Sequence, residues 1–296
     1  MRDDGKGGPR DALDWIYECA LFVFGLACGS FLNVCISRIP RDQSVVTPSS
    51  HCPICGAWIG WRDNIPLFSW ILLHGRCRDC RGRISLRYPA VELLTAALFA
   101  ACYARFGPGW LTLKFCVFAF LLVGLLFMDA ETSLLPREFT YTGIVLGIAF
   151  APIAPTDSSA TRLLLHAYGA HLTPVQVSFL DAMLGALLGV GFFLLAAGLY
   201  FLLRKQPGMG AGDFPLIAMS GLFLGLKLTV LVIFLAPLTA SIYALALIVR
   251  YARSGAASMG EILHSWEIPF GVFVSACSLA TAFFGEAIWR WYVGFY

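Results

Sequence analysis

With 296 residues, 58% of them hydrophobic and only 13% charged, the chain falls well below the charged content of about one quarter typical of soluble domains. It reads as an integral membrane protein. The formal net charge of +3 is too small to argue for a nucleic-acid partner, and none is expected.

Residues 1–14 are polar and mixed in charge, without the basic, apolar and small-residue order of a cleavable signal. The first span, 16–38, is therefore expected to stay as an anchor. Further spans are expected at 89–106, 111–128, 139–155, 179–203, 214–226, 228–250 and 268–290. Each approaches the ~20 residues that cross a bilayer, so the fold class is an all-α polytopic membrane protein with about eight transmembrane helices. The stretch 156–178, with His166 and His171, reads as a solvated connector outside.

Orientation follows from charge, because Lys and Arg collect in cytoplasmic loops. With the N-terminus outside, the inside segments are 38–88, 129–138, 204–213 and 250–267. They hold thirteen of the twenty-one Lys and Arg residues, eight of them Arg in the first loop. The expected organisation is an outside tail (1–15), a first transmembrane helix (16–38), a cytoplasmic loop (39–88) and a membrane-embedded body (89–296).

The loop carries two C-x-x-C pairs, Cys52/Cys55 and Cys77/Cys80, separated by 21 residues. Paired knuckles of this kind form a zinc ribbon, in which four thiolates close a tetrahedron around Zn2+. Two disulfides or a redox pair is the alternative, which a reducing cytosol disfavours. Four thiolates leave no open position, so such a metal holds a fold and activates no water. Arg76, Arg78, Arg81 and Arg83 would offset thiolate charge or meet lipid headgroups, unless they are simply solvated. The other six cysteines lie in apolar spans, where a thiol behaves as a small hydrophobe.

Two aspartates stand at the ends of apolar runs. Asp129 closes 117–128, and Pro136 seven residues later turns the chain back. Asp213 follows Gly210-Ala211-Gly212, where glycine permits close backbone approach, and precedes 214–226. Either alone has a plain reading, Asp213 as a helix N-cap and Asp129 as an interfacial residue. Together, at the same predicted membrane face, they read as the two carboxyls of an aspartic protease sharing one proton. Glu92, Glu138 and Glu267 read as acids at helix N-termini, and Asp181 lies toward the opposite face.

The ordered set of motifs resembles the type IV prepilin peptidase family. The N-terminal half is carried by Gly29–Val34 (GSFLNV), Arg38-Ile39-Pro40, the cysteine knuckles and Tyr88–Leu93 (YPAVEL). The C-terminal half is carried by Asp129 with Pro136, by Gly210–Asp213 and by Ile268–Gly271 (IPFG). The resemblance implies an inner-membrane enzyme whose catalytic pair is Asp129 and Asp213. It also implies leader removal from prepilins or type II secretion pseudopilins, and N-methylation of the new N-terminus with S-adenosyl-L-methionine. In the family the cytoplasmic loop is associated with methylation and metal, and Glu92 matches a family position. Glu131 fills the place of a second acid two residues after the first aspartate; departures are Arg137 where an acid often follows the proline, Pro215 where Lys is common and Pro207 where Glu is common. The rival readings are an intramembrane aspartic protease with another substrate and, from a different class, a secondary transporter with acids in broken helices.

Overall fold

A computed structural model describes residues 12–169, 171–206, 208–254 and 269–294. Pro207, Glu267 and Ile268, singled out above, lie outside the described residues, as do most of the tail 1–15 and of the segment 250–267. The described chain is nearly all helical: α1 (Ala12–Arg38), α2 (Phe68–Leu72), α3 (Arg87–Phe106), α4 (Trp110–Thr132), α5 (Arg137–Ile153), α6 (Ser159–Ala167), α7 (Pro174–Arg204), α8 (Asp213–Ser254) and α9 (Phe270–Val293). No strand forms among the described residues; the pairings are single bridges, His51 with Trp58 and Arg76 with Arg83.

Six of these helices are long and apolar enough to cross a membrane. The difference from eight predicted spans has two causes. Helix α5 has 17 residues. The predicted sixth and seventh spans are two helical segments that meet at a kink, non-helical backbone at Gly225 (φ 78°, ψ 177°), and together form the 42-residue run α8. Only glycine adopts that conformation without steric cost.

The chain divides into two compact units, one up to Phe120 and one from Leu121 onward, the boundary falling inside α4. In the first unit α1 packs along α3. Leu32, Ile36, Val91, Ala96 and Phe99 are buried there. A Cβ on Gly29 would lie 2.7 Å from the Glu92 Cα, so glycine lets the two backbones meet. The same motif's Asn33 donates from Nδ2 to the Tyr88 carbonyl at 3.0 Å. Arg38 closes the following loop through the carbonyls of Ser44 (3.0 Å) and Pro48 (2.7 Å). These motif residues therefore tie α1 to α3 and to the loop.

In the second unit α8 packs against α7 and α9, and α5 packs on α7 and α8. Gly185 and Gly221 form the tightest crossing: a Cβ on either would come within 2.6 Å of the other helix's backbone. Small residues supply the close van der Waals contact that associates helices in lipid.

The predicted connector 156–178 is not merely solvated chain. It contains α6, and Thr173 caps α7 in a reciprocal capping box with Gln176. Asp157 accepts from Lys227 Nζ at 2.9 Å, and Glu286 accepts from the same ammonium at 2.7 Å. Buried Asp181 accepts from the Thr161 hydroxyl at 2.5 Å. Lys227 is 6% exposed against 43% for Asp157 and 26% for Glu286, so the Glu286 pair is the less screened of the two. Removing the ammonium leaves two neighbouring carboxylates without compensation, a cost set chiefly by the less exposed Glu286 and reduced by solvent screening at Asp157. Lys227→Met is accordingly expected to lower the thermal midpoint of the purified protein strongly, and Lys227→Arg to keep most of it.

Candidate active site

Asp129 lies in the last turn of α4, which runs three residues past it to Thr132. The helix then closes through Ser133 (φ 52°), whose N–H donates to the Asp129 carbonyl at 2.9 Å. Pro136 immediately precedes α5, so the chain reverses where its ring forbids a helix from continuing. The Asp129 side chain is 4% exposed. Its Oδ2 accepts the Val272 N–H at 2.9 Å, and the Gly271 N–H is a second backbone donor to the same carboxyl. Both belong to the first turn of α9, whose amides have no partner within the helix.

Asp213 is the first residue of α8 and is 6% exposed. Its Oδ2 accepts the Gly210 N–H at 3.1 Å, and its own N–H donates to the Gly210 carbonyl at 3.2 Å. The glycine run thus folds back on the carboxyl. This bond runs to an amide upstream of the helix, whereas an N-cap bonds forward into the first turn.

The two acids are brought together, and the charge of Asp129 acts on the Asp213 carboxyl. Leu135 forms a wall shared by both. Its side chain lies 3.0 Å from where a Cβ on Gly271 would stand, and a Cβ on Gly212 would also come within 3.0 Å of it. A Cβ on Gly271 would in addition lie 2.8 Å from Asp129 Oδ2. Two carboxyls, each oriented by at least one backbone N–H, can act as general base and general acid on a single bond.

The four loop cysteines also converge. Their sulfur atoms lie within 4.8 Å of one another, a cluster that could hold a metal ion. Cys52 and Cys80 sulfurs are 3.9 Å apart. A tetrahedron with metal–sulfur bonds near 2.3 Å has edges of about 3.8 Å, so the donor set fits. The N–H groups of Cys55 and Ile54 lower the Cys52 thiol to about 7, while burial and the neighbouring sulfurs push Cys80 up to about 11, so the four thiols hold their protons as one group. None of the ten cysteines is in a disulfide, and the four sulfurs form one group.

Other acids sit elsewhere. Glu92 is 6% exposed and accepts the Leu67 N–H at 2.7 Å, so it holds the loop and is more than a helix-terminal acid. Asp181 faces Gly225, its Oδ2 lying 2.1 Å from where a Cβ on that glycine would stand. Leu135 and the α9 amides escaped the sequence reading, although the stretch from Asp129 to Pro136 and the IPFG motif marked their positions. Lys227 escaped it too, and a lysine between apolar runs was its signal.

The Bacterial Peptidase A24 N-terminal domain matches residues 23–106, and the Type IV leader peptidase family matches residues 116–245. Three relatives carry the name prepilin leader peptidase/N-methyltransferase. That of Myxococcus xanthus is 38% identical over 240 residues, 81% of this chain and 66% of the relative. That of Aeromonas hydrophila is 34% identical over 308 residues, 95% of each chain. That of Bacillus subtilis is 30% identical over 273 residues, 92% of this chain and 96% of the relative. No solved structure matches the chain.

Proposed function

The chain belongs to the type IV leader peptidase family, and on that premise we propose that it is a membrane aspartic endopeptidase that removes the leader from type IV prepilins or type II secretion pseudopilins. N-methylation of the new N-terminal residue, with S-adenosyl-L-methionine as methyl donor, completes the proposal. The observation that carries it is the pairing of buried Asp129 and Asp213 around the Leu135 wall.

In this mechanism one of the two enters as carboxylate and takes a proton from a water molecule, whose oxygen adds to the scissile carbonyl carbon. The other enters as the acid and donates its proton to the carbonyl oxygen, giving a tetrahedral diol. The diol collapses, the C–N bond breaks, and the leaving amine takes the proton first removed from water. One diol hydroxyl returns its proton to the carboxylate that had acted as acid, restoring the pair. Possession of the shared proton belongs to the pair as a unit. Because an intact helix hides its backbone in lipid, the scissile bond lies in an unwound segment at the membrane surface. Val272 and Gly271 orient Asp129, and Gly210 orients Asp213.

Cys52, Cys55, Cys77 and Cys80 would hold a structural Zn2+, which supplies folding energy and no open coordination position. The proposal also keeps residues 1–15 outside, 16–38 as the first transmembrane helix, 39–88 as the cytoplasmic loop and 89–296 as the embedded peptidase body. The arginine-rich loop supports an inner-membrane location with the aspartates facing the cytoplasm.

Incubating the purified protein with a prepilin and a labelled methyl donor, then sequencing the product, tests both activities. A shortened chain with a methylated N-terminus is expected; an uncleaved precursor rejects the reading. Gly271→Ala tests the positioning of the pair, because its Cβ would displace the Asp129 carboxyl or Leu135. A displacement on that scale is expected to slow cleavage about a hundredfold, with membrane insertion and helix content unchanged.

A further inference from the structure

The loop between α1 and α3 contains nine residues, Ile65–Leu73 (IPLFSWILL), that are apolar apart from one proline and one serine. The run is far too short to span a bilayer. Within it α2 is built inside out. Ser69 is buried, its hydroxyl donating to the Arg62 carbonyl at 2.9 Å and accepting the Ile65 N–H at 3.1 Å. Phe68, Ile71 and Leu72 point outward, 57%, 56% and 61% exposed. Trp70 turns inward, donates to the Ile84 carbonyl at 3.4 Å and lies under Gly75, where a Cβ would come within 2.7 Å of its ring. The polar and indole side is thereby committed to the loop, and the aliphatic side has no cover within it.

The height of α2 is fixed as well. Glu92, five residues past the start of α3, binds the N–H of Leu67 directly before α2. At 1.5 Å of rise per residue that contact is about 8 Å along α3, beside the turns that pass from Arg87 and Tyr88 into apolar sequence. Around α2 the segment 38–88 holds eight arginines against three aspartates and no glutamate or lysine. Arg78 is engaged by Asp63 through bonds of 2.7 and 2.5 Å, while Arg76, Arg81 and Arg83 are exposed. An apolar face beside cationic side chains, at the level where a spanning helix begins, matches the chemistry of an anionic lipid surface.

We propose that residues 65–73 are an interfacial anchor, with Phe68, Ile71 and Leu72 among the upper acyl chains and Arg76, Arg81 and Arg83 at anionic headgroups. Glu92 is the residue that pins this anchor at its depth. The occupant is the bilayer, since a segment tied to the first turns of a membrane helix meets lipid before any soluble partner.

The test places a photo-crosslinking amino acid at Ile71 in the full chain, in vesicles of phosphatidylethanolamine and phosphatidylglycerol. Lipid adducts are expected, in lower yield when phosphatidylglycerol is replaced by phosphatidylcholine. Adducts only to a second copy of the chain, or only to water, overturn the proposal, and a yield indifferent to lipid charge overturns the arginine half of it. Phe68→Ser with Leu72→Ser should accelerate amide exchange across 65–73 at unchanged metal content; exchange already as fast in the parent protein also rejects it. Prepilin cleavage in the same vesicles separates this outcome from failure of the peptidase reading.

Discussion

Asp129→Asn and Asp213→Asn are each expected to reduce leader removal about a thousandfold, the scale of general acid–base catalysis lost outright. Asparagine is the informative replacement because it preserves volume and can still accept through its carbonyl oxygen. The Val272 N–H at Asp129 and the Gly210 N–H at Asp213 therefore keep an acceptor, and Leu135 keeps its packing. What disappears is the capacity to take or give a proton at that position. Either variant should insert, purify and melt like the parent, so the loss appears in turnover and not in yield. The two losses should be far from additive, since members of one catalytic unit fail together. Prepilin processing by either single variant at the parental rate would reject the pair.

The second large effect is expected in the cysteine loop. Removing metal with a chelator, or replacing buried Cys77 by Ser, should unfold residues 44–86 while α1 remains packed on α3. The described loop has two isolated bridges, short helical turns and little buried apolar surface besides Cys52 and Cys77. Such a segment cannot offset its own chain entropy. A four-thiolate metal site can, at about 10 kcal/mol in small zinc modules. Metal content by mass spectrometry should fall together with protection of the loop amides, and new protease cuts should cluster between 44 and 86. Methylation is expected to fail with the loop, whereas cleavage should outlast it because the proposed pair and its donors all lie between Asp129 and Val272. Full amide protection after metal removal would show that the loop folds by packing alone.

Much of the helical layout is legible in the residues. Predicted spans at 16–38, 89–106 and 139–155 correspond to α1, α3 and α5 within a few residues, because membrane helices are announced by apolar runs and local breakers. The break inside α8 was legible to within two residues: the expected boundary between the sixth and seventh spans falls at Lys227, and the non-helical backbone is at Gly225. The region 156–178 was legible in part: most of it is exposed, as its polar composition suggested, but the pairing of Asp157 with an ammonium 70 positions away left no local signal.

Taken alone, the amino-acid order determined what depends on short-range chemistry. That comprises the membrane class, the approximate helix limits, four cysteines at knuckle spacing, and two aspartates each set beside a helix breaker or glycine run. Tertiary structure decided which distant groups meet: the Val272 amide 143 residues from Asp129, Leu135 between two glycines, Glu286 on Lys227, and the outward apolar face of α2. Those meetings follow from how closely helix backbones approach and where their ends fall in space. Such packing energies are summed over many contacts and leave no periodic trace in any one segment.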